Sequence, residues 1–489
     1  MMPTLPTVTV GLSLTAAVTT LDVAWDNDES IKSAASTIAY GLVKYYTGNN
    51  TGDTPGNLPD PYYWWEAGAM FGTLVDYWWL TGDDSYNAIT TQALIHQAGE
   101  DDDYMPKNQT LTEGNDDQGF WAMAAMSAAE HKYPNPPEGE PQWLALVQAV
   151  FNEYVSRWDE GNCGGGVRWQ IFTWNAGFDY KNSISNGCFF NVAARLARYT
   201  GNTTYSDWAE KVWDWENKIG LITGEHEVLD GVHFEGKCPS SIDSTKWSYN
   251  AGIFLYGAAV MYNITESDTW KTRVDGMLAE VNKAFVQNEI IYEAYCEPSA
   301  QCSQDAQSFK GYLARWLAAT SQVASYTSDS ISKLLLASGK KAAASCSGSP
   351  AGNFKGLPGT ACGFSWLKDS FDGVVGVGPQ MSSLQMIMYN LVRSAEGPVT
   401  TKTGGDSKGN PNGGKSDDGG SGSNGPNLKP ITAADRAGAA ILTILVSAGV
   451  RTQSVSEFQD VSSQYSYVAW LFPARLALSQ FCRAHLPGI

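Results

Sequence analysis

Three short marks recur along the chain: Thr47-Gly48-Asn49, Thr81-Gly82-Asp83 and Thr200-Gly201-Asn202. Each follows a run with apolar residues at three- and four-residue spacing, and each puts Gly where a helix needs a left-handed C-cap. After two of them an aromatic, Tyr86 or Tyr205, opens the next segment. This degenerate helix–turn–helix device limits the chain to helices that double back on one another. Helices are predicted over 30–46, 66–80, 117–131, 141–158, 184–199, 204–219, 247–262, 268–286, 307–325, 327–339 and 379–395. In 141–158 the apolar face is Trp143, Leu144, Val147, Val150, Phe151, Tyr154 and Trp158. About a dozen such helices predict an all-α fold, an (α/α)6 barrel of six helical hairpins closing into a toroid. A solenoid is the other arrangement, but the long, chemically rich loops argue against it.

In a helical barrel those loops converge on one end. They are Pro59 to Glu66, residues 161–191 and residues 228–235, and they are expected to meet around residues 65, 116 and 230. The stretch 112–130 is the most unusual. Two adjacent carboxylates, Asp116 and Asp117, stand where an almost wholly apolar helix begins, with Gly114 and Asn115 as loop and cap residues before them. An acidic pair entering a buried helix is costly unless it is solvated, used as a cap or used in chemistry. The plain alternative is capping, worth ~0.3–1 kcal/mol for an Asp on a helix N-terminus.

The charge balance narrows the partner class. Asp and Glu number 51 against 32 Lys and Arg, a net charge of -19. This excludes nucleic acid, which needs basic surfaces to neutralise phosphate, and electrostatic docking on anionic lipid. A neutral or cationic substrate fits, and 18 Trp and 23 Tyr suit stacking on sugar rings. Eight cysteines form no CxxC pair. Cys296 and Cys302 lie close together in a loop-like segment, as do Cys346 and Cys362, and each pair is expected to form a local disulfide. Cys163 with Cys238 is the further expected pair, leaving Cys188 free and Cys482 outside the folded unit. Disulfides imply an oxidising compartment, in line with sequons at Asn49, Asn108, Asn202 and Asn263.

The ends differ from the middle. Residues 1–20 contain an apolar stretch like a secretory signal, although no Lys or Arg precedes it. Residues 399–430 are rich in Gly, Ser and Asn and read as a linker. Residues 431–450 continue as spacer and apolar run, which with the small residues before them form a GPI-anchor pattern; Ser423 is the expected attachment site. The tail 451–489 departs from that pattern, since such a signal should end the chain.

The five histidines show no metal-ligand spacing, and neither metal nor cofactor is expected. Gly164-Gly165-Gly166 lacks the strand-then-helix context of a dinucleotide site and reads as a tight turn near Cys163. What remains is carboxylate chemistry among aromatics, the requirement of a glycosidase.

Asn115-Asp116-Asp117-Gln118 followed by Phe120-Trp121 resembles the Asp-Asp signature of glycoside hydrolase family 76, the endo-α-1,6-mannanases. The stretches 61–69, 165–171, 181–187, 248–252 and 309–312 are similar to the fungal GPI-anchored branch of that family. The resemblance implies a barrel over residues 24–398, a retaining mechanism and action on α-1,6-mannose linkages. The implied donor is the mannose core of GPI anchors and the implied acceptor is cell-wall β-glucan. Asp116 would be the nucleophile and Asp117 the acid/base. Asp230 would lie on the cleft floor, and Trp65, Glu66, Asn115, Trp121, Trp169, Asn186, Tyr249, Asn250 and Lys310 would bind substrate, with barrel core as the alternative for each aromatic. A secreted monomer attached to the outer membrane face only through its lipid anchor is expected. A purely hydrolytic mannanase and a non-catalytic glycan-binding wall protein are the alternatives.

Overall fold

The computed structural model describes residues 21–109, 112–234, 238, 240–352 and 354–414. Twelve α-helices lie among them: α1 Asp28–Val43, α2 Trp64–Thr81, α3 Asn87–His96, α4 Asn115–Glu130, α5 Trp143–Ser156, α6 Ser183–Thr200, α7 Thr203–Ile219, α8 Ser248–Thr265, α9 Asp268–Ala284, α10 Ala306–Val323, α11 Ser328–Ser345 and α12 Val377–Met388. The even-numbered helices form the inner ring. Each packs on the next, and α12 closes the ring onto α2, while the odd-numbered helices pack outside. This is the expected (α/α)6 toroid.

Composition separates the two rings. On α4 every residue except Asp116 and Asp117 is buried, because the helix meets protein on all sides. On outer α9 burial is confined to one stripe, Trp270, Val274, Met277, Glu280 and Val281. Gly82 and Gly201 end α2 and α6 in the left-handed conformation, with φ of 77° and 73°. Gly48 does not cap α1, which stops earlier at Val43. Helix α3, absent from the predicted set, has little amphipathic character; its ten residues bury Thr90, Ala93 and Leu94.

Unexpected strands brace the loops at one end. Strands β1 Tyr180–Asn182, β2 Gly231–His233 and β3 Ile242–Asp243 form a small antiparallel sheet. Asn182 pairs with Gly231, and Ser183 N donates to Asp230 O at 2.8 Å, which fixes Asp230 beside the start of α6. Segments of two or three residues are too short for a period-two pattern to show.

All three expected disulfides are present. Cys163 is bonded to Cys238, Cys296 to Cys302 and Cys346 to Cys362. The link from Cys296 to Cys302 closes the loop just before α10. Cys346 and Cys362 also face each other as paired residues of two short antiparallel strands that follow α11, so their disulfide reinforces a backbone pairing. Among the described residues Cys188 is free and buried, as expected, while Cys482 lies outside them.

The expected linker boundary at 399 needs correction. Val399 N donates to Glu130 O at 2.8 Å, Thr401 N to Tyr199 O at 3.2 Å, and Leu144 N to Ser407 Oγ at 3.0 Å. Asn152 Nδ2 reaches Gly413 O at 2.7 Å. Residues 399–414 therefore strap the C-terminal end of the barrel, satisfying groups at the ends of α4 and α6. Residues 1–20, Ser423, 431–450 and 451–489 lie outside the described residues. No described helix is long and apolar enough to cross a membrane.

Candidate active site

In a toroid of hairpins all inner helices run the same way, so their N-termini gather at one end. A cavity of about 550 Å³ lies there. It is lined by Tyr63, Trp64 and Trp65 at α2, by Glu113, Asp116, Asp117 and Phe120 at α4, and by Tyr180, Asn182 and Ile184 at β1–α6. Asp230, Tyr249, Asp305 and Phe309 complete the ring, with Trp169 and Gln170 from the 161–178 loop. The three loops expected to converge do so.

Asp116 and Asp117 face this cavity from the first turn of α4. Both are partly open to it and enclosed by protein elsewhere. Asp117 Oδ2 accepts from Gly114 N at 2.7 Å. Capping is therefore real for Asp117, and Gly114, not Asn115, is the N-cap. Asp116 Oδ1 accepts from Asp117 N at 3.1 Å, and its Oδ2 from Asn182 Nδ2 at 3.5 Å. A methyl placed on Gly114 would come under 3.0 Å from Asp116 Oδ1 and 3.3 Å from Asp117 Oδ2. The two oxygens are therefore closer together than the ~6.5–9.5 Å required when a water must fit between carboxyls, and compatible with ~5–5.5 Å for direct attack.

Burial dominates the electrostatics and splits the pair. Asp117 is pushed well above the usual carboxylate range, by burial first and then by the neighbouring Asp116 charge. Asp116 is raised to about 7 by burial, moderated by the backbone N–H groups and Asn182 that favour its anion. Asp117 thus holds a proton where Asp116 has begun to lose one, the division of labour an acid and a nucleophile need. Asp230 is also raised, chiefly by burial, and accepts from Tyr180 OH at 2.6 Å. Asp305, raised to about 6 by burial, has a buried oxygen without a protein partner. Glu113 is buried with both oxygens unpartnered, and burial holds it well above its usual value.

Six of the residues expected at the site line the cavity: Trp65, Asp116, Asp117, Trp169, Asp230 and Tyr249. Tyr249 stacks on Phe309 with centroids 3.8 Å apart. The other six lie behind the wall. Trp121 is a core residue between Trp64 and Tyr104, with centroids 5.3 and 5.8 Å away. Asn186 is buried and clamps the 161–178 loop, accepting from Val167 N at 2.8 Å and donating to Val167 O at 3.0 Å. Lys310, fully buried, pairs with Glu297 at 3.0 Å between Phe364 and Trp366. Asn115 donates to Arg168 O at 2.9 Å. Glu66 accepts from Gln304 Nε2 at 3.3 Å and is raised to about 8 by burial. Asn250, fully buried, lies behind Asp230. Motif membership placed all six near the site; it could not tell the cavity face of an inner helix from its packed face.

The lining also contains Tyr180, Asn182, Asp305 and Phe309, which motif matching does not assign to the site. Their shared signal is position, since each lies at or just before the first turn of an even-numbered helix. The four sequon asparagines are exposed. Asn263 has both amide atoms engaged, donating to Val323 O at 2.8 Å and accepting from Arg198 Nε at 3.0 Å.

The profile of Glycosyl hydrolase family 76 matches residues 30–402. The chain belongs to this family. It is a glycosidase by that membership. It is 47% identical over 431 residues to the mannan endo-1,6-alpha-mannosidase DCW1 of Saccharomyces cerevisiae, covering 87% of this chain and 92% of that protein. It is 43% identical over 449 residues to the mannan endo-1,6-alpha-mannosidase DFG5 of Candida albicans, covering 90% of this chain and 96% of that one. The crystal structure of Dfg5 from Chaetomium thermophilum in complex with glucosamine matches with a TM-score of 0.77 at 45% identity, over 81% of this chain and 98% of that one. An inactive variant of a Salegentibacter α-1,6-mannanase with α-1,6-mannotriose bound shares the family fold, at a TM-score of 0.59 and 17% identity over 74% of this chain and 99% of that one.

Proposed function

We propose that this glycosidase is a retaining α-1,6-mannosidase that takes the mannose core of GPI anchors as donor and transfers it to cell-wall β-glucan. The observation that carries the reading is the short separation of Asp116 and Asp117, with the more acidic Asp116 hydrogen-bonded as an anion and the less acidic Asp117 beside it. Asp116 attacks the anomeric carbon as Asp117 passes its proton to the departing glycosidic oxygen. The α-linkage breaks and a β-mannosyl ester on Asp116 forms. Asp117, now a carboxylate, takes the proton of an incoming hydroxyl, which displaces Asp116 and restores the α-configuration.

Hydrolysis and transfer share the first half of this sequence and differ in whether water or a sugar hydroxyl arrives second. The aromatic lining, Trp64, Trp65, Phe120, Trp169, Tyr249 and Phe309, favours a sugar acceptor, because faces that stack on a ring also displace loose water. The names of the relatives support the α-1,6-mannoside donor. A secreted protein held to the outer membrane face by an anchor at Ser423 completes the reading. The test is incubation of the purified chain with an anchor-like α-1,6-mannoside and labelled laminari-oligosaccharide. A labelled adduct lost in Asp116→Asn is expected. Free mannoside without adduct would leave hydrolysis alone, and an unchanged rate in Asp116→Asn and Asp117→Asn would remove the enzymatic reading.

A further inference from the structure

A second cavity, of about 470 Å³, opens at the opposite end of the barrel. Its walls are the last turn of α2, the end of α4 and the segment 396–399 that begins the strap. Helix α4 thus carries one cavity at each end. Its sixteen residues at ~1.5 Å each put the two ~24 Å apart, so one short ligand cannot occupy both.

The chemistry of this wall is specific. Trp79 stacks on His131 with centroids 3.7 Å apart and planes within 12°, which fixes the indole as a rigid, partly buried plate. Trp78 stands beside it, held edge-on by Tyr133 at 5.2 Å. His131 is nearly enclosed, with Nδ1 buried and Nε2 turned toward Asp76, and burial lowers the ring to about 4, so the backing of the plate adds no charge to the cavity. Lys132 and Glu396 are the exposed charges, one of each sign. Balanced charge gives an ionic ligand no net attraction. Indole faces beside donors and acceptors match a ring that is apolar on its faces and hydroxylated at its rim.

We propose that this cavity binds a neutral hexopyranose chain, stacked on Trp79 and Trp78 and hydrogen-bonded by Lys132 and Glu396. It would hold the enzyme on a wall polysaccharide while the first cavity works on its substrate, raising the effective concentration of one for the other. The inference is independent of the chemistry assigned to Asp116 and Asp117.

Depletion of the full chain by insoluble β-1,3-glucan, and separately by immobilised α-1,6-mannan, tests it and separates the two sources of such a chain. Two variants are needed. Trp79→Ala removes the plate, and Gly397→Trp fills the cavity from a position where an added Cβ meets nothing. Retention on one polymer is expected to weaken at least ~10-fold in both variants, with turnover of a short soluble mannoside within ~2-fold of wild type. No wild-type retention on either polymer would overturn the proposal. So would unchanged retention in Gly397→Trp, even if Trp79→Ala fails, since that loss would then reflect damage to α2.

Discussion

Gly114→Ala tests the geometry of the carboxylate pair without replacing either carboxylate. Gly114 has φ −95° and ψ 163°, which any residue adopts, so the substitution adds no backbone strain. The new methyl would clash with Asp116 Oδ1 and lie 3.1 Å from Trp169 O. Trp169 O cannot give way, because it accepts from Asn115 N at 2.8 Å and the strand-like bridge Gly114–Gln170 pins both chains. The Asp116 carboxylate must therefore move, by about 1 Å, to recover an ordinary contact of ~3.5 Å. A displacement of about 1 Å at a reacting group costs ~100-fold in rate, or ~2.7 kcal/mol of transition-state stabilisation. Overpacking should also cost ~1–3 kcal/mol of stability. Steady-state kinetics on an α-1,6-mannoside should show kcat falling ~100-fold with KM little changed, in a chain whose circular dichroism is wild type. A kcat within ~3-fold of wild type would refute the reasoning, since Asp116 would then not need its present position.

Asp305→Asn removes a charge that holds the Asp117 proton in place. The Asp117 anion becomes easier to form, so the alkaline limb of the pH–rate profile should move to lower pH, while the acidic limb governed mainly by Asp116 moves less; a shift to higher pH would contradict the electrostatic assignment. Reducing or deleting the bond between Cys163 and Cys238 releases a constraint spanning 75 residues, worth ~4.5 kcal/mol in the chain-entropy picture. Thermal unfolding should show a large drop in Tm. Lys310→Ala strands Glu297 in the core and should cost ~3–5 kcal/mol. In denaturant melts it should behave as a stability variant, with KM of the folded fraction unchanged; a raised KM at full stability would return Lys310 to substrate binding.

What could be read from the chain follows from what repeats. Helices with Gly caps, such as those ending at Gly82 and Gly201, announce the toroid because each carries its own periodicity and terminator. Helix α3 and the strands around Asn182 and Asp230 do not, since they are short and held by tertiary pairing. The Asp pair was legible for a related reason: two carboxylates at the mouth of an otherwise buried helix are costly, and that cost asks for an explanation. Short sequence separation likewise announced the disulfides from Cys296 to Cys302 and from Cys346 to Cys362, because a small loop keeps its two thiols near each other whatever the fold. Trp121, Asn186 and Lys310 share motifs with the site yet serve the wall behind it. Asp305 and Tyr180 line the cavity yet share no motif with it. Inner helices are buried on every face, so hydrophobicity cannot distinguish the side that meets substrate. The strap at 399–414 was hidden because its Gly-, Ser- and Asn-rich composition carries no periodicity, while its bonds to the helices are made by single groups of Val399, Thr401 and Ser407.

The anomeric form of the first sugar released, followed by proton NMR before mutarotation, tests the central claim most directly. Carboxyls close enough for direct attack on one carbon predict that an α-1,6-mannoside yields the α-anomer first, with the β-anomer growing in later. A β-anomer at the earliest time point would mean that water attacks from the opposite face, and would contradict the role assigned to Asp116.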